Sequence, residues 1–193
     1  QGQDEVDLTE FLSKYLSAVS YQVDCDVFLD VDLCQYVSPM FATPNPVLDE
    51  TAIFESGLTL ESAAVDVQVQ DERRFLLVEL KWLAEQQPTV DVKVSLRLLD
   101  ETGAAVEQRD NFPIGPLLPP TTWAAGDRKP GYMALAIPPT LESGRYQLVV
   151  TLYDPATFET TAYSLSDAMP STAPLVLANV EVGDTIKVVS GRE

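Results

Sequence analysis

Histidine is absent from this chain. Its absence removes Ser-His-Asp and Cys-His nucleophile systems and every histidine-ligated metal site together. Basic residues are scarce, with Lys and Arg totalling 12 against 30 Asp and Glu, for a formal net charge of −18. A field of that sign repels phosphate backbones and anionic lipid surfaces, so neither nucleic acid nor a membrane surface is an expected partner. Long apolar runs are missing too. The longest, such as Phe75 to Val78, fall far short of a bilayer's width, and no direct membrane insertion by this segment is expected. No G-x-S-x-G elbow, phosphate-binding loop or dinucleotide fingerprint occurs. The expectation is a non-enzyme with no catalytic residue, no metal and no cofactor. Carboxylate-pair hydrolysis of glycosides stays formally open, through acids such as Glu79, Glu85 and Asp110. With 30 acids in the chain, some pair will meet the required spacing by accident.

Cysteine is nearly absent, and the two that occur, Cys25 and Cys34, stand nine positions apart. That spacing fits neither a zinc ribbon nor a C-x-x-C redox motif. A structural disulfide is the preferred reading, with free buried thiols as the alternative, and it implies an oxidising, extracytoplasmic compartment. A straight strand would hold the two Cα atoms roughly 30 Å apart, whereas a disulfide needs about 5.5 Å. The chain must therefore reverse between them. No basic, apolar leader opens the chain, and it begins on Gln1 rather than Met, so removal of an upstream piece is expected, with a signal peptide and a membrane-embedded region as the open alternatives.

What is present is organised in two parts. Residues 1–50 hold a helix, an acidic cysteine-bearing hairpin and a Pro-rich linker. The spacing of Leu8, Phe11, Leu12, Tyr15, Leu16 and Val19 predicts a helix over 7–19 with one apolar face. Asp7 and Glu10 fit a capping box, and Val6 with Phe11 a hydrophobic staple. So short a helix is marginal alone and must dock, the plainest partner being the domain's own sheet. Residues 21–37 alternate Val23, Val27, Leu29, Val31 and Leu33 with Asp24, Asp26, Asp30 and Asp32, which predicts a strand pair with an acidic face. The aspartates lack the glycine and terminal glutamate of a calcium loop, so a solvated face is expected. Pro39, Pro44 and Pro46 mark 38–50 as the linker.

Residues 51–193 read as β almost throughout. Leu76, Val78, Leu80 and Trp82 form one inward set, and Val90, Val92, Val94, Leu96 and Leu98 another; Met133, Leu135, Ile137 and Tyr146, Leu148, Val150, Leu152 repeat the rhythm. Turns at near-regular spacing without a βαβ rhythm predict an all-β, immunoglobulin-like antiparallel β-sandwich preceded by an amphipathic helix. Strand parity places Trp82 and Tyr146 in the core. Glu142-Ser143-Gly144-Arg145-Tyr146 has the form of a tyrosine corner, a stabilising device.

Several segments carry a resemblance. They are Leu80-Lys81-Trp82, Leu96-Arg97-Leu98-Leu99-Asp100, Gly103 followed by Gln108-Arg109-Asp110, and Pro120-Thr121-Thr122-Trp123 with Gly126. Gly144-Arg145-Tyr146 and Leu152-Tyr153-Asp154 complete the series. In this order, over residues 58–182, they resemble the C-terminal extracytoplasmic β-sandwich domains of polyprenol-phosphate-sugar mannosyltransferase-like membrane proteins from filamentous green non-sulfur bacteria. The resemblance implies an accessory domain. Glycosyl transfer belongs to that family's membrane-embedded part, so no catalytic residue is carried over.

The expected function is a non-catalytic structural or accessory sandwich outside the cytoplasm, partnered by another envelope protein. The alternative is a module binding a cell-envelope glycan. Its candidate ligand residues are Trp123 in a Pro-rich loop, Tyr132 and Asp110, an aromatic platform beside a carboxylate. Against it stands the reading of Trp123 as a plug for the end of the sandwich.

Overall fold

The computed structural model describes residues 8–29, 31–70, 72–166 and 168–191. Helix α1 (Leu8–Val19) leads into a hairpin of β1 (Tyr21–Phe28) and β2 (Val31–Val37). Further along the chain, β3 (Asn45–Pro46) and β4 (Ala52–Phe54) enter the main body, followed by β5 (Leu58–Gln70), β6 (Arg73–Ala84), β7 (Lys93–Leu99) and β8 (Ala105–Asn111). The chain continues with β9 (Arg128–Ile137), β10 (Gly144–Tyr153), β11 (Tyr163–Leu165), β12 (Leu175–Val182) and β13 (Ile186–Ser190). Asp7 and Val6, read as the helix cap and staple, lie outside the described residues, as does Asp30 of the acidic series.

Two antiparallel sheets face each other. One runs β11-β4-β5-β6-β9, with β3 also pairing β5; the other runs β13-β12-β10-β7-β8. The chain changes sheet from β6 to β7, from β8 to β9 and from β9 to β10, so the layers are cross-connected rather than stacked hairpins. Between them lies the core that period-2 alternation demands. Leu76, Val78, Leu80 and Trp82 from β6 meet Val94, Leu96 and Leu98 from β7, with Leu148, Val150 and Leu152 from β10. Gly131 in β9 is required by close approach, because a Cβ there would stand 1.9 Å from the Pro113 carbonyl oxygen.

The segment 38–50, read as a linker, is tied to this body. Asn45 and Pro46 pair with Val65 and Ala64, Val47 donates its amide to Ala63 O at 2.9 Å, and its side chain is buried in the core. Proline at this position suits an edge strand, where one ladder donor is not needed.

β6 is apolar on both faces. Phe75 and Leu77 point away from the sandwich core and join Tyr21, Val23 and Ala134 in a second, smaller cluster. The β1–β2 hairpin is thus laid on the outer face of β6 and β9. This explains the unbroken run Phe75–Val78, as a strand covered on both sides loses its alternation. The hairpin is also held by Arg73, whose guanidinium pairs with Asp24, and by Arg109 of β8, which donates to Gln22 O at 2.8 Å.

Candidate functional site

The hairpin reverses through a two-residue loop, since Phe28 pairs with Val31. Leu29, at φ 56°, takes the left-handed conformation that such a tight loop requires. The reversal places Cys25 directly opposite Cys34, and a disulfide joins them. Two shared constraints, register and covalent bond, therefore fix the hairpin that covers Phe75 and Leu77.

Trp82 is fully buried and Tyr146 nearly so. The Tyr146 hydroxyl donates to the Glu142 backbone oxygen at 2.9 Å, closing the corner at the start of β10. Beside this corner, an open groove of about 610 Å³ runs along Asp100, Thr102, Leu141, Glu142 and Arg145. Asp100 accepts from the Thr102 amide and hydroxyl at 2.8 and 2.7 Å and from the Ala104 amide at 3.0 Å. Those bonds, the Thr102 hydroxyl first, hold its carboxyl below the usual range. They belong to the β7–β8 turn, and the carboxylate is spent on it.

The three candidate ligand residues do not form one site. Trp123 is 1% exposed and sits in the sandwich core. Its indole donates to Leu118 O at 2.9 Å, and Lys129 lies 5.9 Å from the ring centroid. As a stacking platform for a sugar, this tryptophan is excluded by its burial; it closes the end of the core and fastens the Pro-rich loop. Tyr132 projects to the other side of β9, packing edge-on against Tyr21 at 5.1 Å. Burial, with Glu79 nearby, raises its phenol above the ordinary value. Asp110 lies on β8 in the opposite sheet, exposed, in register with Ser95. Sequence spacing could not separate these three, because each faces a different layer.

α1 adds a feature that the periodicity gave in part. Its apolar stripe exists, but it faces outward: Leu8 is 66% exposed, Phe11 44%, Leu12 46% and Tyr15 48%, with Leu16 and Val19 also open. The expected docking of this stripe on the chain's own sheet does not occur. The polar and small side of the helix faces the body instead. Ser13 Oγ lies 3.4 Å from the Tyr36 hydroxyl, and Ala18 backbone lies 3.1 Å from where a Cβ on Gly115 would stand. The physical reason is prior occupation, for Tyr21 and Val23 already cover the apolar outer face of β6 and β9. Among the described residues, no three Asp, Glu or Cys side chains converge as a metal site, and no helix is long and apolar enough to cross a membrane.

No protein-family model matches the chain, and neither a curated protein nor a solved structure matches it.

Proposed function

We propose that this chain is a non-catalytic, extracytoplasmic accessory sandwich that docks through α1 onto a protein surface of a larger cell-envelope assembly. The outward stripe of Leu8, Phe11, Leu12, Tyr15, Leu16 and Val19 carries this reading. A helix of 12 residues is marginal in water without tertiary cover, and contiguous apolar surface mostly marks an interaction site. The cover is protein rather than lipid, because a net charge of −18 opposes approach to an anionic membrane surface. Charge complementarity then favours an apolar groove rimmed by basic side chains, receiving the helix by its i, i+3, i+4 anchors.

The Cys25–Cys34 disulfide supports an oxidising compartment. The ordered resemblance over residues 58–182 supports attachment to a membrane-embedded enzyme whose chemistry lies elsewhere. The strand order supports an immunoglobulin-like sandwich. β6 is flanked by β5 and β9, β10 by β7 and β12, and Tyr146 closes a corner at the head of β10, the arrangement of that fold's hallmark tyrosine.

The test is photo-crosslinking in cells of the source organism, with benzoylphenylalanine replacing Phe11 or Tyr15 and, as control, Val69. A discrete protein adduct from the helix positions and none from Val69 is the expected result. Lipid adducts alone, or equal yields from all three positions, would sink the docking role.

A further inference from the structure

The outer face of the five-stranded sheet carries the side chains that alternate with the core set on β7, β8 and β10. Across the register, Ser95 stands between Thr151 and Asp110, and Arg97 between Val149 and Gln108. These rows floor an open trough of about 300 Å³, walled at one end by Tyr153 and Phe158. Its polar groups are already oriented. Arg97 Nη2 donates to Thr151 Oγ1 at 2.7 Å, and Gln108 Nε2 donates to both Asp110 carboxylate oxygens at 3.2 and 3.0 Å. Burial, with the Asp110 carboxylate nearby, raises the Tyr153 phenol above its ordinary value. Arg97 Nε is buried and, among the described residues, has no partner.

The aromatic wall is unusual for a surface. Phe158 is 77% exposed, although its backbone stands at φ 62°, a region that bulky residues avoid. Its ring lies nearly parallel to Tyr153, with centroids 6.1 Å apart and 11° between planes. The loop holds it there, since the Phe158 amide donates to Asp154 O at 2.8 Å and the Ala156 amide to Asp154 Oδ1 at 2.7 Å. One face of the pair is thus spent on Tyr153 and the other is offered to solvent above the polar rows.

The geometry points to a saccharide-binding face on this sheet, with Phe158 as the stacking platform and Arg97, Gln108 and Asp110 as the hydroxyl-recognising set. A pyranose ring presents an apolar C–H face and an equatorial rim of hydroxyls. An exposed aromatic plane beside a carboxylate, an amide and a guanidinium is complementary to both. The trough is open at the surface, which suits an interior stretch of a polymer rather than an enclosed small molecule. Among the described residues, Arg97 is the lone cation lining the trough, and the chain carries a net charge of −18. That field disfavours polyanionic glycans, so the ligand class is a neutral polysaccharide.

The experiment titrates the full chain with cellohexaose, maltohexaose, laminarihexaose and mannohexaose, and with polygalacturonate as the anionic comparator, following backbone amide shifts by NMR. The expected result is that at least one neutral glycan shifts the amides of Arg97, Gln108, Thr151 and Phe158. Phe158→Ala should weaken that binding about tenfold while leaving the melting temperature unchanged, since the ring is exposed. Asp110→Asn should weaken it as well. The face is not a saccharide site if no neutral glycan shifts these amides at millimolar concentration, or if polygalacturonate alone does so. Affinity that both variants leave intact would equally overturn the assignment.

Discussion

Tyr146 and Tyr21 both bury a phenol, but their hydroxyls meet different surroundings. Tyr146 gives its proton to Glu142 O, while the Tyr21 hydroxyl is buried without a partner among the described residues. Burial raises the Tyr21 phenol far above its ordinary value, and the carboxylates of Glu79 and Asp66 add to the effect. It therefore stays neutral, and its cost is the lost hydration of an unmade bond. Removing each hydroxyl should then have opposite consequences. Tyr146→Phe is expected to destabilise the chain by about 1 kcal/mol, and Tyr21→Phe to be neutral or stabilising by up to about 1 kcal/mol. Urea denaturation of the two variants measures both, and a loss at Tyr21→Phe as large as at Tyr146→Phe would contradict the assigned surroundings. At this scale the sequence was an uneven guide. Glu142 to Tyr146 is a local pattern whose hydrogen bond spans four residues, so it was readable. Trp123 is decided by what the sandwich end does with a loop of prolines, and no local pattern carries that.

At the scale of elements, the hairpin is the part with the most conditional stability. Its cross-link closes a short loop, and the loss of chain entropy gives about 2.5 kcal/mol in the unfolded-state account. Beyond the bond it has the ion pair of Arg73, the Arg109 hydrogen bond and the apolar cluster of Tyr21 and Val23. Reduction is therefore expected to raise hydrogen–deuterium exchange across 21–37 while β7, β10 and β12 keep their protection. Exchange rising equally in both regions would mean that hairpin and sandwich open as one unit. The helix, the hairpin and most strands were legible, because periods of 3.6 and 2 are set by residues adjacent in sequence. The outer contact of Phe75 and Leu77 was not read from alternation. Its signal was the unbroken apolar run, which marks cover on both faces without naming the cover. The direction of α1 was illegible for the same reason. Periodicity shows that a stripe exists, and only the prior claim of Tyr21 and Val23 on the sheet decides which way it turns.

For the whole molecule, the consequence of that claim is that the sandwich is finished by residues before it in sequence. A chain beginning at Ser38 would leave Phe75, Leu77 and Ala134 open on one broad face. That shortened form is expected to self-associate in light scattering and to melt at a lower temperature than the full chain. A monomeric fragment with unchanged melting would show that the outer cluster adds little. The apolar face of α1 makes the complementary statement. It is already open in the full chain, so polar replacements at Phe11 and Tyr15 leave folding stability within about 0.5 kcal/mol.

The hairpin is gripped from both layers, by Arg73 at the start of β6 and by Arg109 in β8. It therefore works as a rivet across the seam where the two layers meet. A pull on the chain ahead of Tyr21 is shared by both sheets before any core strand peels away. The bridge between Cys25 and Cys34 bypasses the tip, so the load runs through the rooted end of the hairpin. A domain tethered to an envelope assembly through α1 would thus take mechanical stress at its best-fastened corner.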